Sequence, residues 1–361
     1  MKEKILSLLG GEREYVSGQA LCTELGVSRT AVWKVINQLR EDGYEIESVA
    51  GKGYRMISRP DCITAEEITS CLRTQWAARS VRYYETIDST NNEAKRLAEQ
   101  GAADGTLVVA EEQSQGKGRR GHSWMTPAGT AIAMSLLLRP SLPENSSDPA
   151  NGNNLANGNA PVNGNAPAND NDPARRLHPD RAPMLTLVMG MAVAAACREV
   201  CGVDVGIKWP NDVVAEGKKI CGILTEMSCE VDYINYVVIG IGINTGISHF
   251  PPELRETAIS LHTLMGQKPD RARLIASCME KFELYYDRFR KTQDYSFLMD
   301  EYNTLLVGKG VRVRVLSPGD EFEGVSEGID QKGELLVRRD DGIVEAIFAG
   351  EVSVRGIYGY V

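Results

Sequence analysis

The chain has eight cysteines but no Cys-x-x-Cys pair, and its four histidines form no metal-ligand spacing. Cys197 and Cys201 lie one helical turn apart, with no other ligand group near them in sequence. These absences argue against a zinc site and a disulfide framework, and point to free, mostly buried thiols in a reducing cytosol. No Gly-x-x-x-x-Gly-Lys-Ser/Thr occurs, which excludes a P-loop. No signal-peptide pattern opens the chain. The most apolar run, Met184–Cys197, is too short to span a bilayer and reads as a core helix, so no membrane partner is expected. An excess of positive charge is also missing. Forty Lys and Arg stand against 49 Asp and Glu, so any nucleic-acid contact must be local.

What is present centres on Gly116-Lys117-Gly118-Arg119-Arg120-Gly121, followed by His122-Ser123-Trp124. Glycines let a backbone wrap close to a ligand, and the cations suit a phosphate or carboxylate. The spacing matches Gly-x-Gly-x-x-Gly, but a dinucleotide site needs a helix opening at the last glycine. Here Met125-Thr126-Pro127-Ala128-Gly129 and the strand-like Thr130–Leu138 follow, so that reading is rejected.

Residues 1–60 read as a winged helix-turn-helix. Helices are predicted over Met1–Leu9, Ser17–Leu25 and from Ser28 to about Leu39. The third helix buries Val32, Val35, Ile36 and Leu39, and turns Ser28, Arg29, Thr30, Lys34 and Asn37 outward. Between 28 and 40 there are three cations and no acid, as a recognition helix requires. The strands Tyr44–Val49 and Tyr54–Met56 flank a Gly51-Lys52-Gly53 turn, a wing with the basic Lys52 at its tip. A three-helix interaction domain with a solvated third helix is the plainer alternative.

Residues 61–306 read as one mixed α/β domain, entered by a short linker at Arg59-Pro60-Asp61. Thr64 and Glu67 have capping-box spacing ahead of a helix over Thr64–Leu72. Strand Ser80–Thr86 leads to a helix start at Ser89-Thr90-Asn91. Thr90 and Glu93 there could be another capping box, yet two hydroxyls and two amides exceed what a cap needs. Such groups can read a neutral ring bearing C=O and N–H. Strand Thr106–Glu111 delivers Gln113 and then the glycine loop. Residues 141–183 contain ten Asn, seven Pro and no aromatic, a composition that predicts a disordered excursion. Further on come a helix over Met184–Val200 and a strand over Val203–Lys208. The turn Lys208-Trp209-Pro210-Asn211-Asp212 sets a cation, an indole and a carboxylate side by side. A hairpin and the strand Tyr233–Ile243 imply a mixed or antiparallel sheet. Helices are predicted at Glu253–Met265, Asp270–Arg290 and Tyr295–Leu305. Residues 307–361 turn wholly β, with about five strands forming a small barrel.

These motifs together resemble the bifunctional bacterial biotin–protein ligases that also repress the biotin operon. The residues that carry the resemblance are Ser89-Thr90-Asn91, Gln113, the glycine loop with Trp124, Lys208–Asp212, Lys219-Ile220-Cys221-Gly222-Ile223-Leu224 and Gly240-Ile241-Gly242-Ile243-Asn244. The resemblance implies a multi-domain α+β architecture: a winged helix, a central catalytic domain of the class II synthetase-like biotin ligase type, and a C-terminal SH3-like barrel. Three departures stand out. Lys117 and His122 replace arginines common in the family, and the 141–183 excursion is unusual.

The implied chemistry has biotin and ATP as substrates, with Mg²⁺, and a biotin carboxyl carrier protein as acceptor. Lys208 and Arg119 are implied as catalytic. Ser89, Thr90, Asn91, Gln113, Lys117, Gly118, Arg119 and Lys208 are implied at biotin. Arg119, Arg120, Trp124, Lys208, Asn211 and Asn244 are implied at the adenylate, and Asp212 at a metal. DNA contacts fall to Ser28, Arg29, Thr30, Lys34, Asn37 and Lys52, on operator DNA bound by a homodimer carrying biotinoyl-AMP in the cytoplasm. The alternatives are a lipoate-type ligase and a sensing repressor without catalysis.

Overall fold

The computed structural model describes residues 1–10, 15–140, 177–231, 233–317, 320–348 and 353–356. Three helices open the chain, α1 (Lys2–Leu9), α2 (Gly18–Leu25) and α3 (Arg29–Glu41). Ser17 and Ser28 accept from the backbone N–H of Ala20 and Ala31, satisfying donors that a helix start leaves over. Leu6, Leu21, Val32, Ile36 and Leu39 close a small core. The antiparallel strands β1 (Glu45–Val49) and β2 (Gly53–Ser58) form the wing, and Val16 bridges to Tyr54 beside them. Gly53 has φ +115°, and a Cβ there would meet the Val16 carbonyl oxygen at 2.1 Å. Only glycine fits that crossing.

The linker is tied down. Glu67, on α4 (Ala65–Cys71), is 1% exposed and accepts from the Tyr44 hydroxyl at 2.6 Å and Arg59 Nη1 at 2.5 Å. The expected capping box is therefore only half made. The Glu67 N–H donates to Thr64 Oγ1, while the Glu67 carboxylate serves the domain junction. A carboxylate withdrawn from water gains more from a guanidinium than from a helix-end amide. Asp61 is held by Arg271 Nε at 2.5 Å, and the same buried guanidinium reaches Glu111 at 2.8 Å.

The central sheet has seven strands: β3 (Ser80–Ile87), β4 (Thr106–Gln113), β5 (Ala131–Leu138), β6 (Gly206–Lys208), β7 (Asp212–Ala215), β8 (Lys218–Cys229) and β9 (Ile234–Asn244). Their order is β3-β4-β5-β9-β8-β7-β6. Only the pair β3/β4 is parallel, joined through helix α5 (Thr90–Glu99), so the sheet is mixed as expected. Helix α6 (Met184–Ala196) lies within the main core with α8 (Arg271–Thr292), and α5 packs over Val108, Leu137 and Val238 in a separate cluster. The apolar run is thus a core helix. It continues as a π turn over Cys197–Cys201 that ends at Gly202, φ +64°. All eight cysteines are free, four of them buried.

Several boundaries differ from expectation. Most of the predicted excursion, 141–176, lies outside the described residues, but its end is packed: Leu177 and Ala182 are buried around a short 3₁₀ turn at Pro179–Arg181. The strand expected over Val203–Lys208 is only Gly206–Lys208. The helix expected at Glu253–Met265 is a 3₁₀ turn (Pro252–Leu254) and a short α7 (Leu261–Met265). Between them the Lys219 N–H donates to the Thr257 carbonyl and the Ile259 N–H to the Lys219 carbonyl, so this stretch lies extended along β8 instead of coiling. The last helix, α9 (Met299–Leu305), starts four residues later than predicted, and ahead of it the Tyr295 N–H donates to the Gln331 carbonyl of the next domain.

That domain holds five antiparallel strands, β10 (Arg312–Ser317), β11 (Asp320–Ile329), β12 (Leu335–Arg338), β13 (Val344–Ile347) and β14 (Ser353–Gly356), in the order β13-β12-β11-β10-β14. Trp209 is turned toward it. The indole is 3% exposed and donates to the Gly333 carbonyl at 3.0 Å, so it is not one wall of a cation–indole–carboxylate site. Trp209→Phe keeps most of the packing but strands that carbonyl. The expected result is a loss of about 1 kcal/mol, seen as a lower midpoint in urea unfolding.

Candidate active site

Paired residues of antiparallel neighbours put their side chains on one face of a sheet. Across β6, β7, β8 and β9 the register runs Lys208–Asp212–Gly222–Gly242, and Leu224 stands opposite Gly240. Three glycines in adjacent rows leave a floor of bare backbone. A Cβ on Gly242 would lie 2.3 Å from the Trp124 ring, and one on Gly240 would lie 2.2 Å from Asn91 Oδ1. The indole and the carboxamide therefore rest directly on the sheet. Between them opens a cavity whose walls also include Ser89, Thr90, Gln113, Lys117, Arg119 and Lys219.

At the Asn91 end the polar groups are interlocked. The Thr90 N–H and hydroxyl lie 2.8 and 3.0 Å from Gln113 Oε1, and Gln113 Nε2 donates to Thr126 Oγ1 at 3.2 Å. Ser135 Oγ sits 2.8 Å from Thr90 Oγ1 and 2.6 Å from Asn91 Oδ1. Ser89 occupies the N-cap of α5 but its side chain makes no cap bond. The capping-box reading of Thr90 and Glu93 fails as well. Glu93 instead accepts from the Tyr84 hydroxyl and Arg96, and burial together with that carboxylate pushes the Tyr84 phenol up to about 12. The helix start is spent on the cavity.

The other end is cationic. The glycine loop folds on itself: the Trp124 N–H donates to the Gly116 carbonyl, and Gly118 N–H to His122. A Cβ on Gly116 would meet the Trp124 carbonyl oxygen at 2.3 Å. Arg119 Nη1 reaches Asn211 Oδ1 at 3.1 Å, and Asn211 Nδ2 donates to the Ile223 carbonyl, so the loop is pinned to the Lys208–Asp212 turn. Burial depresses the Arg119 pKa, and the nearby Asp212 opposes that shift. Gly118 and Asn211 line the cavity with Arg119, whereas Arg120 is exposed at φ +56°. Trp124 Nε1 is buried without a partner, a donor left over for a ligand.

Lys219 is the residue that sequence reasoning left without a role. Its ammonium lies 2.6 Å from Asp212 and 5.4 Å from the centre of the Trp124 ring, inside the cavity wall. Its place in the motif strand, three residues before Gly222, was the available signal. Lys208 is not among the cavity-lining residues, although its register puts its side chain on the cavity face, two strands from Gly222 and about 10 Å away. Asn244 is 4% exposed and donates to the Lys219 and Ile259 carbonyls, so it braces the Lys219 backbone rather than facing the cavity. Asp212 lies 2.6 Å from the Lys219 ammonium, and among the described residues no three His, Cys, Asp or Glu side chains converge.

A family model described as the biotin/lipoate A/B protein ligase family matches residues 83–156 and 170–244, an HTH domain matches 2–55, and a biotin protein ligase C-terminal domain matches 308–355. The chain is 36% identical over 347 residues to the bifunctional ligase/repressor BirA of Bacillus subtilis, covering 94% of each. It belongs to the bifunctional biotin–protein ligase/repressor family. The Escherichia coli member is 28% identical over 353 residues, covering 98% of this chain and 96% of that one. The fold is also that of the Aquifex aeolicus biotin protein ligase, solved with biotin and ATP. There the TM-score is 0.60 at 24% identity, covering 77% of this chain and 99% of that one.

The family's two activities map to separate parts of this ligase. It is an ATP-dependent biotin–protein ligase that carries a repressor-type DNA-binding domain. Ser28 at the N-cap of α3 and Arg29, Thr30 and Lys34 on it are exposed, as is Lys52 at the wing tip. Arg29 Nη2 donates to Gln19, and Asn37 accepts from Arg40 Nη1 at 3.3 Å. Arg40 itself is drawn to the Ile46 carbonyl and Ser48, so it steadies the wing.

Proposed function

We propose that the cavity joins biotin to ATP and that the hydrogen-bonding end takes the ureido ring. Thr90, Asn91, Gln113 and Ser89 suit a neutral ring that both donates and accepts. The biotin carboxylate then points along the glycine floor toward Lys117, Arg119 and the Lys208/Lys219 pair. One carboxylate oxygen attacks the α-phosphorus, the bond to the β-phosphate oxygen breaks, and pyrophosphate leaves. Both reactants are anions, so fixed cations that strengthen their hold as charge moves to the leaving group supply the main catalytic term. Lys208 and Arg119 carry that role. Trp124, with its spare N–H, and Asn211 sit on the adenylate side, and exposed Arg120 meets the nucleotide as the loop closes. Mg²⁺ arrives on the nucleotide's phosphates as part of the substrate, and Asp212 acts through Lys219.

In the second step the acceptor lysine amine attacks the acyl carbon. The anhydride C–O bond breaks, AMP leaves, and the amine's proton is released. Closure of the loop keeps water from the anhydride in between. The acceptor is a biotin carboxyl carrier protein. The adenylate-loaded protein forms a homodimer that places two recognition helices on two operator half-sites in the cytoplasm.

The observation that carries this reading is the single glycine floor with a neutral hydrogen-bonding set at one end and cations at the other. Incubation with biotin, ATP and a carrier domain is expected to add one biotin to the carrier, read by mass spectrometry, with AMP release. Lipoate offers no ureido ring and is expected not to compete in ATP–pyrophosphate exchange. Competition by lipoate, or no AMP at all, would overturn the assignment.

A further inference from the structure

Resting on that reading, we infer that Glu226 is a positioning residue which sets the hydrogen-bond polarity of the biotin pocket through Asn91 and Ser135. Glu226 lies on the cavity face of β8, two residues beyond Leu224. Its Oε2 accepts from Asn91 Nδ2 at 2.7 Å, and its Oε1 holds the Lys95 ammonium at 2.6 Å. Lys95 neutralises a carboxylate that would otherwise repel an anionic substrate.

The argument is proton accounting. An ionised carboxylate only accepts, so the amide nitrogen of Asn91 must face Glu226 and its Oδ1 must face Ser135. Ser135 has one hydroxyl proton, and Oδ1 at 2.6 Å takes it. Thr90 Oγ1, 2.8 Å from Ser135 Oγ, can then only donate, either to Ser135 or to Gln113 Oε1 at 3.0 Å. Gln113 cannot invert this, because its Oε1 already accepts the Thr90 N–H. Whichever way the Thr90 proton goes, it is spent inside the protein. The threonine oxygen turns only lone pairs to the cavity, and lone pairs suit a ureido N–H. Acting through Asn91, Ser135 and Thr90, the Lys95–Glu226 pair therefore selects a donor on the ligand without itself touching it. Gly240 supports the arrangement by letting the Asn91 carboxamide lie against the backbone.

Glu226→Gln keeps size and hydrogen bonding but permits Asn91 to flip. Ser135 then donates to Thr90 and takes one of its lone pairs. Titration calorimetry with biotin alone is expected to show binding weakened about tenfold, the equivalent of ~1.4 kcal/mol. The KM for ATP and kcat at saturating biotin should stay within about twofold, since the cationic end is untouched. Ser135→Ala cuts the relay at its middle and is expected to give the same split. It carries the test if the Glu226→Gln variant melts early. Both variants binding biotin like wild type, or losing biotin and ATP equally, would remove Glu226 from this role. Wild-type protein that takes up no biotin would sink the functional reading itself.

Discussion

Lys208→Ala is expected to reduce biotin-dependent pyrophosphate release by at least about 10²–10³-fold, the range for losing one fixed transition-state contact. Biotin binding measured alone should change much less, because the Asn91 end is far from β6. Lys219 is expected to behave differently. Its ammonium neutralises Asp212 at 2.6 Å within the cavity wall. Lys219→Met removes the positive charge beside Asp212, makes the cavity wall more negative toward an incoming polyanion, and should raise the KM for ATP roughly tenfold through repulsion in a partly desolvated site. The double variant with Asp212→Asn removes both charges and should recover most of that loss. Steady-state kinetics on the four proteins forms a double-mutant cycle. Near-normal adenylation by Lys208→Ala would take Lys208 out of the chemistry. Additive effects at 212 and 219 would show that the pair does not act as a unit.

The second large effect is expected from two glycines that stand two residues apart and should fail in opposite ways. A methyl on Gly242 would lie 2.3 Å from the Trp124 ring and must lift the indole, and with it the loop anchored through Trp124 N–H and Gly116. Displacing positioning groups by about 1 Å costs on the order of 10²-fold in rate. Gly242→Ala should thus cut adenylation by that factor while biotin binding survives. A methyl on Gly240 would lie 2.2 Å from Asn91 Oδ1 and must expel the carboxamide, so Gly240→Ala should lose biotin binding first. Calorimetry with biotin and single-turnover adenylation separate the two. Identical phenotypes would mean that the floor is one plastic surface rather than two subsites.

Much of this architecture was legible in the chain. The 3.6-residue spacing of Val32, Ile36 and Leu39 announced α3, and just beyond two other predicted helices Gly26 and Gly202 close the ends in the left-handed region. The same periodicity overran at 253–265 and 295–298, where backbone amides and carbonyls were claimed by distant partners, Lys219 and Gln331. Local pattern cannot report such partners. Trp209 looked like a site residue because Lys208 and Asp212 flank it, yet alternation along the chain sends its indole to the C-terminal domain.

By itself the sequence determined which chemical groups are available: hydroxyls and amides at 89–91, cations at 117–120 and 208, and glycines at 222, 240 and 242. The tertiary structure decided which of those groups meet. Register across four strands put Lys208, Asp212, Gly222 and Gly242 in one row and brought Lys219 into the cavity wall, where Thr90 also stands, bonded to Gln113 rather than serving a capping box. The physical reason is that strand pairing fixes neighbours by hydrogen bonds between residues far apart in the chain. Side-chain partnership follows that pairing, and no local window contains it.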